Sequence, residues 1–394
     1  MKTYPYIEVK YAARNHEGER ICGDVFLSRR VKEEQRTVLV LSDGLGHGVK
    51  ANVLATLTAS MALNFTIEHK NIERTAEIIM NTLPIDSERK ISYATFTIVD
   101  IEDKGKVRIL EYDNPDVKIF RGDELLEFEW ERTILDCEKH KGKELRSYSF
   151  YPQFEDRIVF RSDGISQSGL GMGTYPFGWG DDNMVEYILL LLKNNPNISA
   201  DQLAKKIVNT AHKNDLYHAK DDTSCAVVYF REPRKLLLCT GPPYEKENDV
   251  ILGDEVREFK GKIIACGATT ADILSRELDR EIEDSFEFYD PDLPPISYMD
   301  GIDLITEGIL TLSKVTEILK TYSNKTTLGK GPADLIVRML LDSDEISLIV
   351  GTRINIAHQD PNLPVELEIR RTVVKRIARI LEDKFLKEVN MKFI

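Results

Sequence analysis

Short apolar segments with alternating or continuous hydrophobicity dominate the first 230 residues, and polar or glycine-containing turns separate them. Such segments predict β-strands, whereas apolar residues repeated every three to four positions predict helices. Alone, this mixture indicates only a mixed α and β protein. The predicted strands are 7–13, 22–28, 38–42, 93–101, 107–112, 117–120, 125–130, 145–150, 157–161 and 223–230, and the predicted helices are 50–65, 71–83, 181–193 and 200–213.

The helices carry recognisable boundaries and faces. The helix at 71–83 stops before Pro84, and a cap region at Asn197 and Ser199 precedes the one at 200–213. The helix at 50–65 is predicted from the spacing of Val53, Leu54, Leu57, Met61 and Phe65, which lie along one face.

The pattern of predicted elements changes after residues 231–234. This change predicts a boundary between two domains, 1–232 and 235–394. Beyond it, apolar runs at 235–239, 262–266, 301–306 and 345–350 each end in a loop containing Gly or Thr. Most lead into a helical stretch, which predicts a small α/β domain with its loops gathered at one sheet edge. Helical spacing of Val373, Ile377, Ile380, Leu381 and Phe385 predicts a C-terminal helix over 365–389.

Composition narrows the functional classes. With 53 basic and 66 acidic residues among 394, the net charge of −13 argues against a general nucleic-acid binder. The five cysteines are scattered and read as reduced thiols. Because the N-terminus lacks a signal-peptide pattern and the longest apolar run, 184–192, is too short for a membrane span, we expect a cytoplasmic protein that does not enter membranes.

Acidic residues at strand ends are the most informative chemical feature. Asp43 ends an apolar strand and opens the loop Asp-Gly-Leu-Gly-His-Gly, and Asp163 stands in a second Ser-Asp-Gly strand end. The pair Asp221–Asp222 precedes the strand at 223–230, and Asp24 follows Gly23 before another apolar segment. Carboxylates with almost no His or Cys beside them suit Mg²⁺ or Mn²⁺ and disfavour zinc. The alternative is that these acids are turn and cap residues.

The order Gly-Asp, Asp-Gly-x-Gly-His-Gly, Ser-Asp-Gly and Asp-Asp-Thr resembles the metal-dependent type 2C protein phosphatases. It is most similar to the bacterial branch typified by the sporulation stage II protein E phosphatase, over about residues 5–232. The resemblance implies an α+β fold, a β-sandwich with helices on its outer faces in α-β-β-α layers. The smaller α/β domain follows it.

The resemblance also implies roles for the acidic residues. Two Mn²⁺ or Mg²⁺ ions would activate a water for phosphomonoester hydrolysis. Asp43 would bridge the ions, and Asp24 and the carbonyl of Gly44 would bind the second one. Asp163 and Asp221 would hold the first ion with Asp222 as a helper, so Asp43, Asp163 and Asp221 are the expected catalytic residues.

Further residues near these motifs keep two interpretations each. His47 is either a proton donor or a locally packed side chain, and Arg14 is a candidate phosphate ligand. The loop at 169–173 is either part of a flap near the site or a structural turn, since no βα unit surrounds it as a nucleotide fingerprint would require.

The resulting hypothesis is a Mn²⁺- or Mg²⁺-dependent serine/threonine phosphatase acting on a phosphorylated bacterial regulatory protein. Its second domain would be regulatory or ligand-binding, with a small molecule or an anion as ligand, and a homodimer is also an open expectation. The alternative is a non-catalytic module that binds a phosphoprotein while the C-terminal domain senses a ligand.

Overall fold

The computed structural model describes residues 5–31, 33–68, 78–79, 82, 94–102, 105–134, 142–323, 326–353, 366–385 and 387–394. The chain divides into two compact units, Met1–Glu232 and Pro233–Ile394. We describe each unit by itself.

Two antiparallel sheets form the first unit. The first sheet has the order β1-β11-β10-β6-β7, and the second has the order β2-β3-β4-β5-β9-β8. Strand β3 is almost entirely buried, because its Val-Leu-Val-Leu run has apolar side chains on both faces. The strands are β1 (Tyr6–Arg14), β2 (Val25–Val31), β3 (Arg36–Gly44), β4 (Ala94–Ile101), β5 (Val107–Tyr112), β6 (Lys118–Arg121), β7 (Glu124–Leu125), β8 (Glu131–Ile134), β9 (Glu144–Phe150), β10 (Asp156–Arg161) and β11 (Thr223–Arg231).

Helices cover the outer face of each sheet. Helix α1 (Gly48–Glu68) packs on the second sheet, and helices α3 (Gly180–Asn194) and α4 (Ala200–Asn214) pack on the first. A third group of buried side chains, including Leu39, Phe160 and Val228, fills the space between the sheets. The predicted α-β-β-α sandwich is therefore confirmed. Ser199 caps α4 as predicted, since its side chain accepts a hydrogen bond from the backbone N–H of Gln202 at 3.2 Å.

The predicted helix α1 is present, but the face that it buries is not the apolar face from which it was predicted. Val53 and Leu57 are 59% and 47% exposed, and the face against the sheet is made mainly of small residues such as Ala51, Ala55 and Ala59. Small side chains let the helix lie close to the strands, so the helix packs on the sheet through alanines instead of through large apolar side chains.

Two other predicted elements need comment. The strand predicted at 125–130 is wrong beyond Leu125, because β7 is only a two-residue strand paired with β6. The helix predicted at 71–83 falls almost wholly outside the described residues.

The second unit is an α/β domain around one sheet of order β14-β15-β16-β13-β12-β17-β18. Strands β16, β13, β12, β17 and β18 are parallel, and the β14–β15 hairpin adds an antiparallel edge. Apolar clusters cover both faces of the sheet. The strands are β12 (Lys235–Thr240), β13 (Lys262–Cys266), β14 (Glu283–Asp284), β15 (Ser297–Met299), β16 (Ile302–Thr306), β17 (Glu345–Val350) and β18 (Glu388–Phe393).

Among the residues that the structure describes in this unit, five α-helices accompany the sheet: α5 (Asp249–Glu258), α6 (Ala268–Leu278), α7 (Ile309–Thr321), α8 (Pro332–Asp342) and α9 (Glu366–Phe385). The predicted C-terminal helix is correct in its middle but ends earlier than expected. Residues 388–393 form β18 parallel to β17, so the last two residues of the predicted helix, 388 and 389, belong to a strand. In the described part of the chain, no helix combines the length and the hydropathy needed to cross a membrane.

Candidate metal centre

Strand pairing places the first two acidic residues at one end of the second sheet. Asp43 lies near the end of β3, opposite Thr95 of β4, and Asp24 immediately precedes β2, whose Val25 pairs with Ser42. Asp24 is buried, with only 4% of its surface exposed. Pairing of β2 with β3 therefore brings Asp24 and Asp43 to the same end of the sheet.

The other acidic residues come from the facing sheet. Strands β10 and β11 pair up to Arg161 and Cys225, and the pairing continues when the backbone N–H of Ser162 donates to the Ser224 carbonyl at 3.1 Å. Asp163 begins the short helix α2 (Asp163–Ser166), directly after this contact. Asp221 and Asp222 lie on the approach to β11, so the same strand pair brings both motifs together.

Three glycines allow these segments to touch. A Cβ atom built on Gly44 would lie 2.2 Å from the carbonyl oxygen of Ala51, and one built on Gly164 would lie 2.2 Å from the carbonyl oxygen of Asp222. A Cβ on Gly23 would lie 2.6 Å from Oδ2 of Asp222. No side chain fits at positions 44 and 164 because the obstructing atoms are backbone. Packing therefore requires the glycines that follow Asp43 and Asp163.

The clustered carboxyls raise one another's pKa values. For Asp43, burial raises the pKa well above its ordinary value, and the charges of Asp24, Asp163 and Asp221 add to the effect. Burial likewise raises the pKa of Asp221 to about 6, with Asp163 as the next cause. These groups face each other with like charges, which is an arrangement that favours a multivalent cation.

Asp24 and Asp163 belong to the same cluster. Burial raises the pKa of Asp24 to about 7, although hydrogen bonds from Ser162 and Ser224 oppose the shift. Burial also raises the pKa of Asp163, against hydrogen bonding that includes its contact with Asp43. Desolvation is the first cause for both carboxyls, so the fold holds negative charge where water is scarce.

Open oxygen atoms test whether these residues fit divalent ions. Oδ2 of Asp24 and Oδ2 of Asp222 are buried and have no hydrogen-bond partner among the described residues. Oδ1 of Asp222 accepts the backbone N–H of His16 at 3.0 Å, and Oδ2 of Asp163 accepts the side-chain amide of Gln167 at 2.6 Å. Unsatisfied carboxylate oxygens of this kind are what Mg²⁺ and Mn²⁺ bind, so the residues fit the ions.

The side chains are near one another without forming a finished ligand sphere. Within the residues that the structure describes, no three His, Cys, Asp or Glu side chains converge as a ready metal site. Binding of ions would therefore require side-chain rotation, for example release of Asp163 from Gln167.

His16, which the sequence did not mark as a site residue, lies beside Asp222. The ring of His16 stacks on that of His47 with 4.2 Å between centroids, and Nδ1 of His47 lies 2.8 Å from Oε1 of Glu19. Since the backbone of His16 also donates to Asp222, this stack links the glycine loop after Asp43 to the approach to β11. Residues 15–18 are polar or glycine and lie between two predicted strands, so no local signal marks them as part of a site.

The remaining candidates take structural positions. Arg14 donates to the side-chain oxygen of Asn209 on helix α4 at 3.2 Å, so this side chain contacts the helical layer. In the loop after α2, the backbone N–H of Gly169 donates to Asp215 at 2.7 Å, and Gly169 and Gly171 have φ angles of +79° and +76°. These contacts explain the glycines as turn residues.

A sequence comparison identifies the family of this chain. The family model of stage II sporulation protein E (SpoIIE) matches residues 33–231. This chain belongs to that family, and the matched region is a PP2C-type phosphatase domain. Comparison with curated protein sequences gave no match.

Three solved structures show what the chain is similar to. The SpoIIE phosphatase domain with a fragment of its regulatory domain from Bacillus subtilis is 15% identical, with a TM-score of 0.47; the match covers 58% of this chain and 63% of that one. The RsbU and RsbW domains of a Mycobacterium tuberculosis protein are 15% identical, with a TM-score of 0.46 and coverages of 65% and 68%. RsbX in complex with magnesium is 16% identical, with a TM-score of 0.40 and coverages of 57% and 95%. The family assignment rests on the sequence match.

The raised pKa values predict how the metal-free protein responds to pH. Because the folded pKa values of Asp24 and Asp221 lie above the unfolded value of 3.8, their contribution to stability is complete below that value. It is lost progressively as pH rises from 3.8 to the folded pKa values of about 6 and about 7. In EDTA, the free energy of unfolding should therefore fall across this window, as urea titrations would measure. Asp24→Asn should flatten the fall, and an equally steep fall in this variant would contradict the interpretation.

The contact of Gly44 with Ala51 predicts a large effect of one methyl group. Gly44→Ala should destabilise the protein by about 1–3 kcal/mol, because the added Cβ must displace the start of helix α1. Thermal or urea unfolding would measure the change. Gly173→Ala is the matched control, since nothing lies within 4 Å of a Cβ there and its φ angle is not positive. Equal stability of the two variants would show that the close approach has no energetic weight.

Proposed function

We propose that residues 1–232 hydrolyse phosphoserine or phosphothreonine in a protein, with two Mn²⁺ or Mg²⁺ ions as cofactors. The observation that carries the proposal is the buried group of carboxyls from both sheets, which raise one another's pKa values and keep two oxygens unpartnered. Membership of a phosphatase family supplies the reaction class.

The residues divide into two sets around the proposed ions. Asp43 would be shared, Asp24 and the Gly44 carbonyl would serve one ion, and Asp163 and Asp221 would serve the other, with Asp222 as a helper. When bound, the ions would supply an activated water and neutralise charge on the phosphoryl oxygens.

The chain's own residues perform three tasks in this proposal. Gly44 and Gly164 fix the backbone so that the carboxyls of the two sheets face each other. Asp222 is oriented by the backbone of His16 through its Oδ1, which leaves Oδ2 directed away from that bond. Ser162 and Ser224 hydrogen bond to Asp24 and favour its charged form. Together these contacts preorganise negative charge before any substrate binds.

The surface beside the centre supports a protein as substrate. A cavity of about 500 Å³ adjoins His16 and is lined also by Met172, Leu216, His218 and Lys220. No Phe, Tyr or Trp ring is among the described residues that line it, so the large aromatic rings that most often hold a nucleotide base are missing from these walls. Exposed apolar side chains lie on the segments that form its walls, including Leu170 at 46% and Leu216 at 62% exposure. Such side chains suit contact with a protein surface.

Replacing the shared ligand tests the catalytic proposal. Asp43→Asn should lower turnover of p-nitrophenyl phosphate by about 10³-fold or more at saturating Mn²⁺, because it removes charge from both proposed ion sites. Asp123→Asn, in an exposed turn between β6 and β7, is the control and should keep full activity. Circular dichroism would check that both variants fold. Near wild-type turnover of Asp43→Asn would exclude the two-metal proposal.

The same assay separates the alternative function. A non-catalytic module would bind a phosphoprotein but release no phosphate at any Mn²⁺ or Mg²⁺ concentration, with wild type and Asp43→Asn alike. The retention of every acidic motif favours catalysis over that alternative.

Substrate preference gives a further prediction. A folded protein phosphorylated on serine should be hydrolysed with higher kcat/KM than ATP or a phosphotyrosine peptide. Leu216→Asn should raise KM for the phosphoprotein several-fold and leave hydrolysis of p-nitrophenyl phosphate unchanged, since it removes only an apolar surface contact. Asn tolerates the φ angle of +53° at this position. Efficient hydrolysis of ATP with none of the phosphoprotein would refute the preference.

A further inference from the structure

The second unit contains a cavity of about 700 Å³ that no part of the proposed phosphatase reaction uses. It opens at the carboxyl ends of β13 and β16, where Ala268, Ala271 and Thr306 line it. The segment after β14 and the prolines Pro294 and Pro295 form the remaining wall. Cavities of this size with mostly apolar walls typically bind small molecules.

The usual ligand position of such a sheet is closed here. In parallel sheets, ligands commonly bind where the strand order reverses, which in this unit lies between β12 and β17. A Cβ on Gly351 would lie 2.1 Å from the carbonyl oxygen of Pro242, so the two loops touch there. The guanidinium of Arg370 lies against Gly241, with Nη1 2.4 Å from a Cβ built on that glycine. The open space is therefore displaced to the neighbouring strands.

The charge of the cavity walls is one-sided. Of the described residues that line it, Asp272, Asp284 and Glu307 are acidic and none is basic. Oε2 of Glu307 is buried and lacks a hydrogen-bond partner in the described part of the chain. Neither Asp272 nor Glu307 forms an ion pair with a described residue, whereas Asp284 accepts the hydroxyl of Ser297 at 2.8 Å. Because no described cation faces the carboxylates of Asp272 and Glu307 at this wall, a donor or a cation from a ligand would balance their charge.

Aromatic side chains complete the wall. Phe286 and Phe288 follow Asp284 at alternate positions and line the cavity although they are 89% and 71% exposed. Exposed phenyl rings beside carboxylates attract ammonium groups through their π faces and also cover apolar carbon.

We propose that this cavity binds a small organic cation, an ammonium group carried on an apolar or aromatic body. The ammonium group would meet Glu307 and Asp272, and the body would lie against Phe286 and the prolines. This assignment favours a cationic ligand over the anionic one considered from the sequence, because three carboxylates would repel an anion. It is independent of the phosphatase proposal.

A pair of probes with the same ring and opposite charge tests the assignment. Tryptamine and indole-3-propionate differ mainly in an ammonium or a carboxylate at the end of the same short chain. Calorimetric titration of the full chain should show millimolar or tighter binding of tryptamine, weakened by added salt, and no binding of indole-3-propionate. Absence of tryptamine binding, or equal binding of both probes, overturns the proposal.

Variants locate the binding. Glu307→Gln should lower tryptamine affinity about tenfold or more, since it removes the charge opposite the ammonium. Phe286→Ala, at an exposed position where folding is not at risk, should lower it several-fold. Asp300→Asn, in the exposed turn at the amino end of β16, is the control and should bind as wild type. Wild-type affinity in both Glu307→Gln and Phe286→Ala overturns the proposal.

Discussion

The phosphatase unit depends on two places where backbone segments lie so close together that only glycine fits. Gly44 lies against the carbonyl of Ala51, and Gly164 lies against the carbonyl of Asp222, each at a distance that excludes a Cβ atom. One contact joins a strand of the second sheet to helix α1, and the other joins the two motifs of the first sheet. These contacts determine where the neighbouring acidic side chains lie. Packing of the main chain therefore positions the groups that carry the chemistry of the site.

The cost of this arrangement is electrostatic. Packing that brings Asp24, Asp43, Asp163 and Asp221 together also removes them from water, and both effects raise their pKa values. A protein built for stability alone would not concentrate unpaired carboxyls in this way. The cluster is understandable as a site whose charge is balanced by bound cations, and the family match agrees with such a role.

Sequence reasoning succeeded where the chemistry is local and failed where contacts are long-range. The sandwich and the helical layers followed from periodicity together with a family resemblance. The apolar spacing predicted helix α1 but did not identify its buried face, because alanine gives no strong apolar signal, although Ala51 and Ala55 are fully buried. His16 was missed because its importance comes from stacking on a residue thirty-one positions away. Strand β18 was missed although its sequence Glu-Val-Asn-Met-Lys-Phe alternates polar and apolar residues, because the helical interpretation was extended to residue 389.

The first unit pairs its first strand, β1, with its last strand, β11, and this pairing has a consequence for biosynthesis. Strand β1 pairs with β11 over nine residues, from Tyr6 opposite Arg231 to Arg14 opposite Thr223. A ribosome-bound chain therefore holds β1 without its partner until residues 223–231 have emerged. Glu8 adds to this dependence, because its carboxylate binds Arg231 and the start of helix α4. Contacts between segments so far apart in the sequence form slowly. Until they form, β1 is an unpaired strand in the nascent chain.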